Sequence, residues 1–125
     1  MSEARLIACV EDDASVREAI EGLLVVLGFT VEVFSSAEEF LQSGRIEDAS
    51  CLITDVRLGG MSGIELQNSL AASGYRIPVI VVTAFPDDRT RTQALSAGAV
   101  SVLSKPIIKE ELLTCIRSAL KSAED

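Results

Sequence analysis

The chain has 125 residues, 48% of them hydrophobic and 24% charged, with a net charge of −8. That is one domain's worth of chain, long enough to bury a core without disulfide or metal staples. The acidity argues against direct binding of nucleic acid, which needs clustered Lys and Arg, and the lack of any histidine excludes Ser-His-Asp triads and most zinc sites.

The opening stretch MSEARLIACVEDD is not a signal peptide, because its apolar part is short and acids follow at once. No apolar run reaches the ~20 residues that span a bilayer. Leu6-Ile7-Ala8-Cys9-Val10 then stops at Glu11-Asp12-Asp13 and reads as a buried strand. Val16, Ala19, Ile20, Leu23, Leu24 and Leu27 recur at helical spacing, with Asp13 as the cap and Gly28 as the stop. Phe29 to Phe34 alternates like a strand, and Ser36 with Glu39 has the spacing of a capping box opening a helix that ends near Gly44.

Cys51-Leu52-Ile53-Thr54 is a third strand ending at Asp55. Gly59-Gly60-Met61-Ser62-Gly63 reads as a turn leading to a helix through Ile64, Leu66 and Leu70. Its glycine spacing is not that of a P-loop. Pro78 opens a fourth strand, Val79 to Val82, ending at Thr83, and Pro86-Asp87-Asp88 opens a helix closing at Gly98. Val100 to Leu103 is the fifth strand, followed by Lys105-Pro106 and a helix carrying Leu112, Leu113, Ile116, Ala119 and Leu120 on one face. The tail Lys121 to Asp125 reads either as a terminus or as the start of a linker.

Five strand–helix alternations in short β-branched runs imply an α/β fold, a parallel five-stranded sheet between two helical layers. Right-handed crossovers make the flavodoxin-like order 2-1-3-4-5 the expected one. The three cysteines have no CxxC spacing and read as small buried hydrophobes in a reducing cytosol, hence a cytoplasmic location.

Glu11-Asp12, Asp55, Thr83 and Lys105 all follow strands at their carboxyl ends, where open α/β sheets bind ligands. Carboxylates brought together repel, by roughly 4 kcal/mol for a pair ~4 Å apart at an effective dielectric near 20. Either one stays protonated or a cation binds. Oxygen ligands suit a hard divalent ion, best Mg²⁺. A metal with open positions can hold phosphoryl oxygens, Lys105 can neutralise phosphate charge, and Thr83 can donate a hydrogen bond. Asp55 in that company is a nucleophile toward phosphorus.

With ACVEDD, CLITDVRLGGMSG, VIVVTA and AGAVSVLSKP in this order, the sequence resembles the receiver domain of bacterial two-component response regulators, the CheY-like family, from about Leu6 to Ala119. The phrases SAEEFL, MSGIEL and AGAV are similar to the FixJ/NarL-type branch. The resemblance implies a single receiver domain over residues 1–125, with a core of about 6–119. It implies that Asp55 is the phosphoacceptor and that Mg²⁺ is bound by Asp12, Asp55 and the backbone carbonyl of Arg57, with Glu11 acting through water on the metal. Thr83, Ala84 and Lys105 would bind the phosphoryl group and report it, and Arg57 and Phe85 would set its lifetime.

The phosphate donor would be a sensor histidine kinase or a histidine phosphotransfer protein. The domain would be no turnover enzyme, catalysing only its own phosphorylation and slow autodephosphorylation. Output would pass through the fourth helix, fifth strand and fifth helix to a downstream protein or a fused output domain, or to a phosphorylation-dependent homodimer. Few apolar residues anchor the fourth helix, which makes it the movable element. The chain reads as a free-standing receiver or the N-terminal part of a longer regulator.

Three positions depart from the family pattern. Val102 stands where an inward-swinging Tyr or Phe is common, Gly59 replaces a frequent proline, and Ile107 follows Lys105-Pro106 where phenylalanine is usual. The alternative function is a phosphate-independent interaction module. A haloacid-dehalogenase-type phosphatase is disfavoured because Asp55-Val56-Arg57 lacks the second aspartate, and a flavodoxin because no Ser/Thr-rich loop follows the first strand.

Overall fold

The computed structural model describes residues 5–124. Ten elements alternate along the chain: β1 (Leu6–Val10), α1 (Ala14–Val26), β2 (Thr30–Phe34), α2 (Ala37–Gln42), β3 (Cys51–Asp55), α3 (Gly63–Ala72), β4 (Val79–Thr83), α4 (Asp88–Ser96), β5 (Ser101–Ser104) and α5 (Lys109–Glu124). All strand pairs are parallel, in the order β2-β1-β3-β4-β5. The order and the three-layer architecture agree with the sequence expectation. Strand limits agree within one residue: Phe29 and Val100 precede their strands, while Ser104 joins β5. The tail runs on as α5 to Glu124, and Asp125 lies outside the described residues.

The uninterrupted apolar runs of β1, β3 and β4 follow from burial on both faces. Successive side chains point to opposite sides. Ala8, Val10, Leu52, Val79 and Val81 pack with Phe40, Leu66, Leu70 and Ala94 under α2, α3 and α4. Ile7, Cys9, Cys51, Ile53, Ile80 and Val82 pack with Ile20, Leu24, Leu112, Ile116 and Ala119 under α1 and α5. Cys9 and Cys51 are buried free thiols, each pushed up to about 12 mainly by desolvation, so they serve as packing groups.

Asp13 caps α1 as expected, accepting from the Val16 N–H at 3.1 Å. The box expected at Ser36 forms only in half. Ser36 accepts from the Glu39 N–H at 3.0 Å, but the Glu39 carboxylate accepts from the Ser35 N–H and hydroxyl instead. The complete reciprocal box is at Ser62 and Glu65, opening α3.

Helix α4 is weakly anchored. Ala94 is its one buried residue, and a buried glutamine, Gln67 on α3, donates from Nε2 to the Ala94 carbonyl at 3.2 Å. The other amide atom, Gln67 Oε1, has no hydrogen-bond partner among the described residues. The Ala94 carbonyl also accepts from the Ala99 N–H at 3.0 Å, so it does not depend on Gln67. Gln67→Met, similar in volume and without the stranded oxygen, is expected to be neutral or to stabilise the fold by about 1 kcal/mol. Urea denaturation checks this; a loss of that size or more would mean that the amide contributes more than its buried oxygen costs.

Candidate functional site

Strand register assembles the site. Val10 pairs with Thr54, so Glu11 emerges beside Asp55, the last residue of β3. Asp55 pairs with Val82 and Thr83 with Ser104, which brings Lys105 in from the far side. The Lys105 N–H donates to the Thr83 carbonyl at 2.9 Å, continuing the ladder one residue beyond β5.

Lys105 Nζ lies 2.6 Å from Asp55 Oδ2 and 2.9 Å from Glu11 Oε1. The remaining carboxylate oxygens also have donors. Asp55 Oδ1 accepts from the Arg57 N–H at 3.1 Å, and Glu11 Oε2 accepts from the Asp13 N–H at 3.0 Å. Glu11 is 1% and Asp55 7% exposed, whereas Asp12 is exposed. Each of the three carboxylates offers an oxygen within 4.8 Å of the others. Three carboxylates against one ammonium leave two negative charges uncompensated. An all-oxygen donor set of that charge fits a hard divalent cation and does not suit zinc or copper.

Two groups of the cluster, Glu11 and Lys105, are displaced from their ordinary values. Burial pushes the Glu11 carboxyl up from its ordinary value; Lys105 and the Asp13 N–H oppose this, and the Asp55 charge adds to it. Partial burial works against the Lys105 ammonium, but hydrogen bonds to Asp55 and Glu11 outweigh it and raise Lys105 overall. Lys105 is therefore charged throughout the neutral range.

Thr83 is buried, and its hydroxyl oxygen accepts from the Phe85 N–H at 3.0 Å. That leaves the hydroxyl proton for another acceptor. Ala84, the next residue, is exposed. The Arg57 guanidinium sits over the Phe85 ring, 4.7 Å from its centroid. Val102 is buried in the cluster beneath α4, in register with Val81, so an aliphatic side chain fills the position where an aromatic was the family expectation. Ile107 packs on the α1–α5 side of the sheet and lines an apolar groove with Val16, Ala19, Leu23 and Pro106, beside Lys105.

Sequence reasoning did not anticipate three supporting residues. Arg17 Nη1 donates to the Glu11 carbonyl at 2.9 Å and fixes the acidic loop from the first turn of α1. Glu38 Oε2 accepts from the Met61 N–H at 3.0 Å, tying down the loop after Asp55. Gly63 lies against the Asp55 backbone so closely that a Cβ would collide with the Asp55 carbonyl oxygen. Its conformation is not left-handed, so close approach rather than turn geometry requires glycine there, unlike Gly60 at φ 86°.

A sequence profile of the response regulator receiver domain matches residues 7–117. The response regulator protein TodT of Pseudomonas putida is 42% identical over 120 residues, covering 96% of this chain and 53% of TodT. The transcriptional regulatory protein FixJ of Azorhizobium caulinodans is 37% identical over 125 residues, covering 99% of this chain and 59% of FixJ. The chain thus spans about half the length of the curated relatives it matches. Among solved structures, FixJ-N superimposes with a TM-score of 0.86 at 32% identity, covering 96% of both chains. The response regulator StyR gives 0.89 at 40% identity, covering 98% of this chain and 62% of that one. Among the described residues no helix is long and apolar enough to cross a membrane.

Proposed function

Because the chain belongs to the response regulator receiver domain family, we propose that it is a phosphorylation switch with Asp55 as acceptor, and that residues 1–125 form one receiver domain. The observation that carries this reading is the Lys105 ammonium held between Asp55 and Glu11, with the Asp12 carboxylate alongside.

In the transfer, an Asp55 carboxylate oxygen bonds to phosphorus as the donor's phosphorus–nitrogen bond breaks, and those electrons return to the donor's imidazole nitrogen. Such transfers depend on positioning and charge stabilisation more than on covalent chemistry from the protein. The hydrogen bonds from Arg57 N–H and Lys105 Nζ orient the carboxylate. Lys105 has three donor hydrogens, of which Asp55 and Glu11 take two, so one can meet a phosphoryl oxygen. Thr83 donates the proton that its Phe85 contact leaves free. Asp12, Asp55 and the Arg57 carbonyl would hold Mg²⁺, with Glu11 behind them, and the ion would offset charge on the phosphoryl oxygens.

The donor is a sensor histidine kinase or a histidine phosphotransfer protein, and the apolar groove between α1 and Pro106-Ile107 gives it a surface beside the acceptor. Self-catalysed hydrolysis later resets the domain, which is a cytoplasmic switch and no turnover enzyme. Output passes through α4, β5 and α5 to a downstream protein, a fused output domain or a second copy. The scarcity of buried residues in α4 supports that element as the one that moves.

Phosphoryl uptake from phosphoramidate, followed by intact mass against Mg²⁺ concentration, tests the metal and the reaction together. Asp12→Ala is expected to raise the Mg²⁺ needed for half-maximal uptake by about tenfold or more. Uptake that needs no divalent ion, or the same requirement in both proteins, would contradict this site.

A further inference from the structure

The Arg57–Phe85 contact joins the two halves of the site. Arg57 belongs to the loop after the acceptor and donates its backbone N–H to Asp55 Oδ1. Phe85 belongs to the loop after β4 and donates its backbone N–H to Thr83 Oγ1. Their side chains meet outside the carboxylates, guanidinium over ring at 4.7 Å. Two residues past Phe85, Asp87 caps α4, accepting from the Thr90 N–H at 2.7 Å, and its carboxylate lies within electrostatic reach of Arg57. One cation thus attracts both the ring and the cap that lead into α4.

Phe85 is 58% exposed, so the contact is already largely hydrated and breaking it costs little; cation–π pairs at exposed sites are weak. A phosphoryl group on Asp55 would bring a charge of about −1.5 to −2 to the carboxylate next to the Arg57 backbone. Charge-assisted bonds of guanidinium to phosphate are roughly twice as strong as neutral hydrogen bonds. Arg57 would then have a better partner than Phe85 within its own loop. Val102 in β5 is aliphatic and buried beneath α4, whereas the stack is a side-chain contact between the two loops.

We propose that the Arg57–Phe85 stack is a latch that holds the loop between β4 and α4 in the unphosphorylated protein, and that a phosphoryl group on Asp55 opens it by drawing the guanidinium away. The opening step rests on the phosphoacceptor reading; the closed latch does not. Arg57 and Phe85 act on α4 through the loop and the Asp87 cap, as positioning residues.

Amide hydrogen exchange across α4, Asp88–Ser96, tests both halves, in the free protein and with Mg²⁺ and beryllofluoride as the phosphoryl mimic. In the free wild type α4 should exchange slowly and become several-fold faster when the mimic binds. Phe85→Ala and Arg57→Ala should exchange fast from the start and change little, while Phe85→Tyr should behave as wild type. Free variants that exchange at the wild-type rate would overturn the latch, with or without the mimic. A latch seen in the free proteins, with wild-type α4 unchanged by bound mimic, would overturn the opening step. Failure of wild type to bind beryllofluoride at all would instead count against the phosphoacceptor reading, while the free-protein comparison would still decide the latch.

Discussion

Lys105→Met is expected to cost about 3 kcal/mol of stability at neutral pH, most of it recovered on acidification. The ammonium is the shared partner of Glu11 and Asp55, both nearly buried, and its removal leaves two like charges facing each other without compensation. Removing one partner of a buried pair typically costs about 3–5 kcal/mol. The low end applies because the Lys105 side chain keeps 19% of its exposure and loses some of its attraction to solvent screening. Methionine keeps the stem that packs beside Pro106, so the loss reports charge rather than volume.

The sign of the pH dependence follows from Glu11. Burial already raises its folded carboxyl above the ordinary 4.5. Between that value and the raised one the folded state binds more protons than the unfolded state, so stability falls as pH rises through the window and returns as pH falls. Without Lys105 the window widens upward. The deficit of Lys105→Met against wild type should therefore be largest above the raised Glu11 value and shrink as pH falls toward 4.5 in metal-free urea titrations. A deficit independent of pH would mean that the loss does not come from the uncompensated Glu11 charge.

Gly63→Ala is expected to destabilise by about 3 kcal/mol, while Gly22→Ala stabilises by about 0.5–1 kcal/mol. The same added methyl meets opposite surroundings. At Gly63 it would strike the Asp55 carbonyl, an atom fixed in the sheet, with the Asp55 carbonyl carbon and Thr54 Oγ1 close behind. The Thr54 hydroxyl itself donates to that carbonyl at 3.0 Å, so the end of β3 has little room to retreat. At Gly22, exposed within α1, nothing lies within 4 Å, and only the entropy of glycine in a helix is relieved. Displacing the Asp55 backbone should also slow phosphoryl uptake in Gly63→Ala at temperatures where it remains folded. Denaturation midpoints and uptake rates measured on both variants check this; a Gly63→Ala protein as stable as wild type would mean that α3 can shift away from β3 without loss.

Much of the fold was legible because β1, β3, β4 and β5 each give way to a polar residue of evident use, while β2 shows strand alternation. Asp55, Thr83 and Lys105 mark the ends of β3, β4 and β5 to within a residue. Alternation of five strands with helical patterns implied a parallel sheet, and right-handed crossovers made the observed order the expected one. What sequence could not supply was partner choice among equivalent groups. Ser36 and Glu39 have box spacing, yet Glu39 turns to Ser35, while Ser62 and Glu65 complete the box. Glycines in the loop after Asp55 looked alike as turn residues, yet Gly63 answers to a steric neighbour set by how α3 docks on β3. Gln67 could have been found: with Gly63, Leu66 and Leu70 it falls at helical spacing on the face that is buried. The Arg57–Phe85 stack joins two loops far apart in sequence and had no signal in either.

The central claim is that the carboxyl-end cluster makes Asp55, and no other carboxylate, a phosphate acceptor. Intact mass of the wild type after incubation with phosphoramidate and Mg²⁺ tests it most directly, set beside Asp55→Asn treated identically. The wild type should gain the mass of one phosphoryl group and Asp55→Asn none, with both proteins folded by circular dichroism. A wild type that gains nothing, or an Asp55→Asn protein that gains as much, would contradict the assignment.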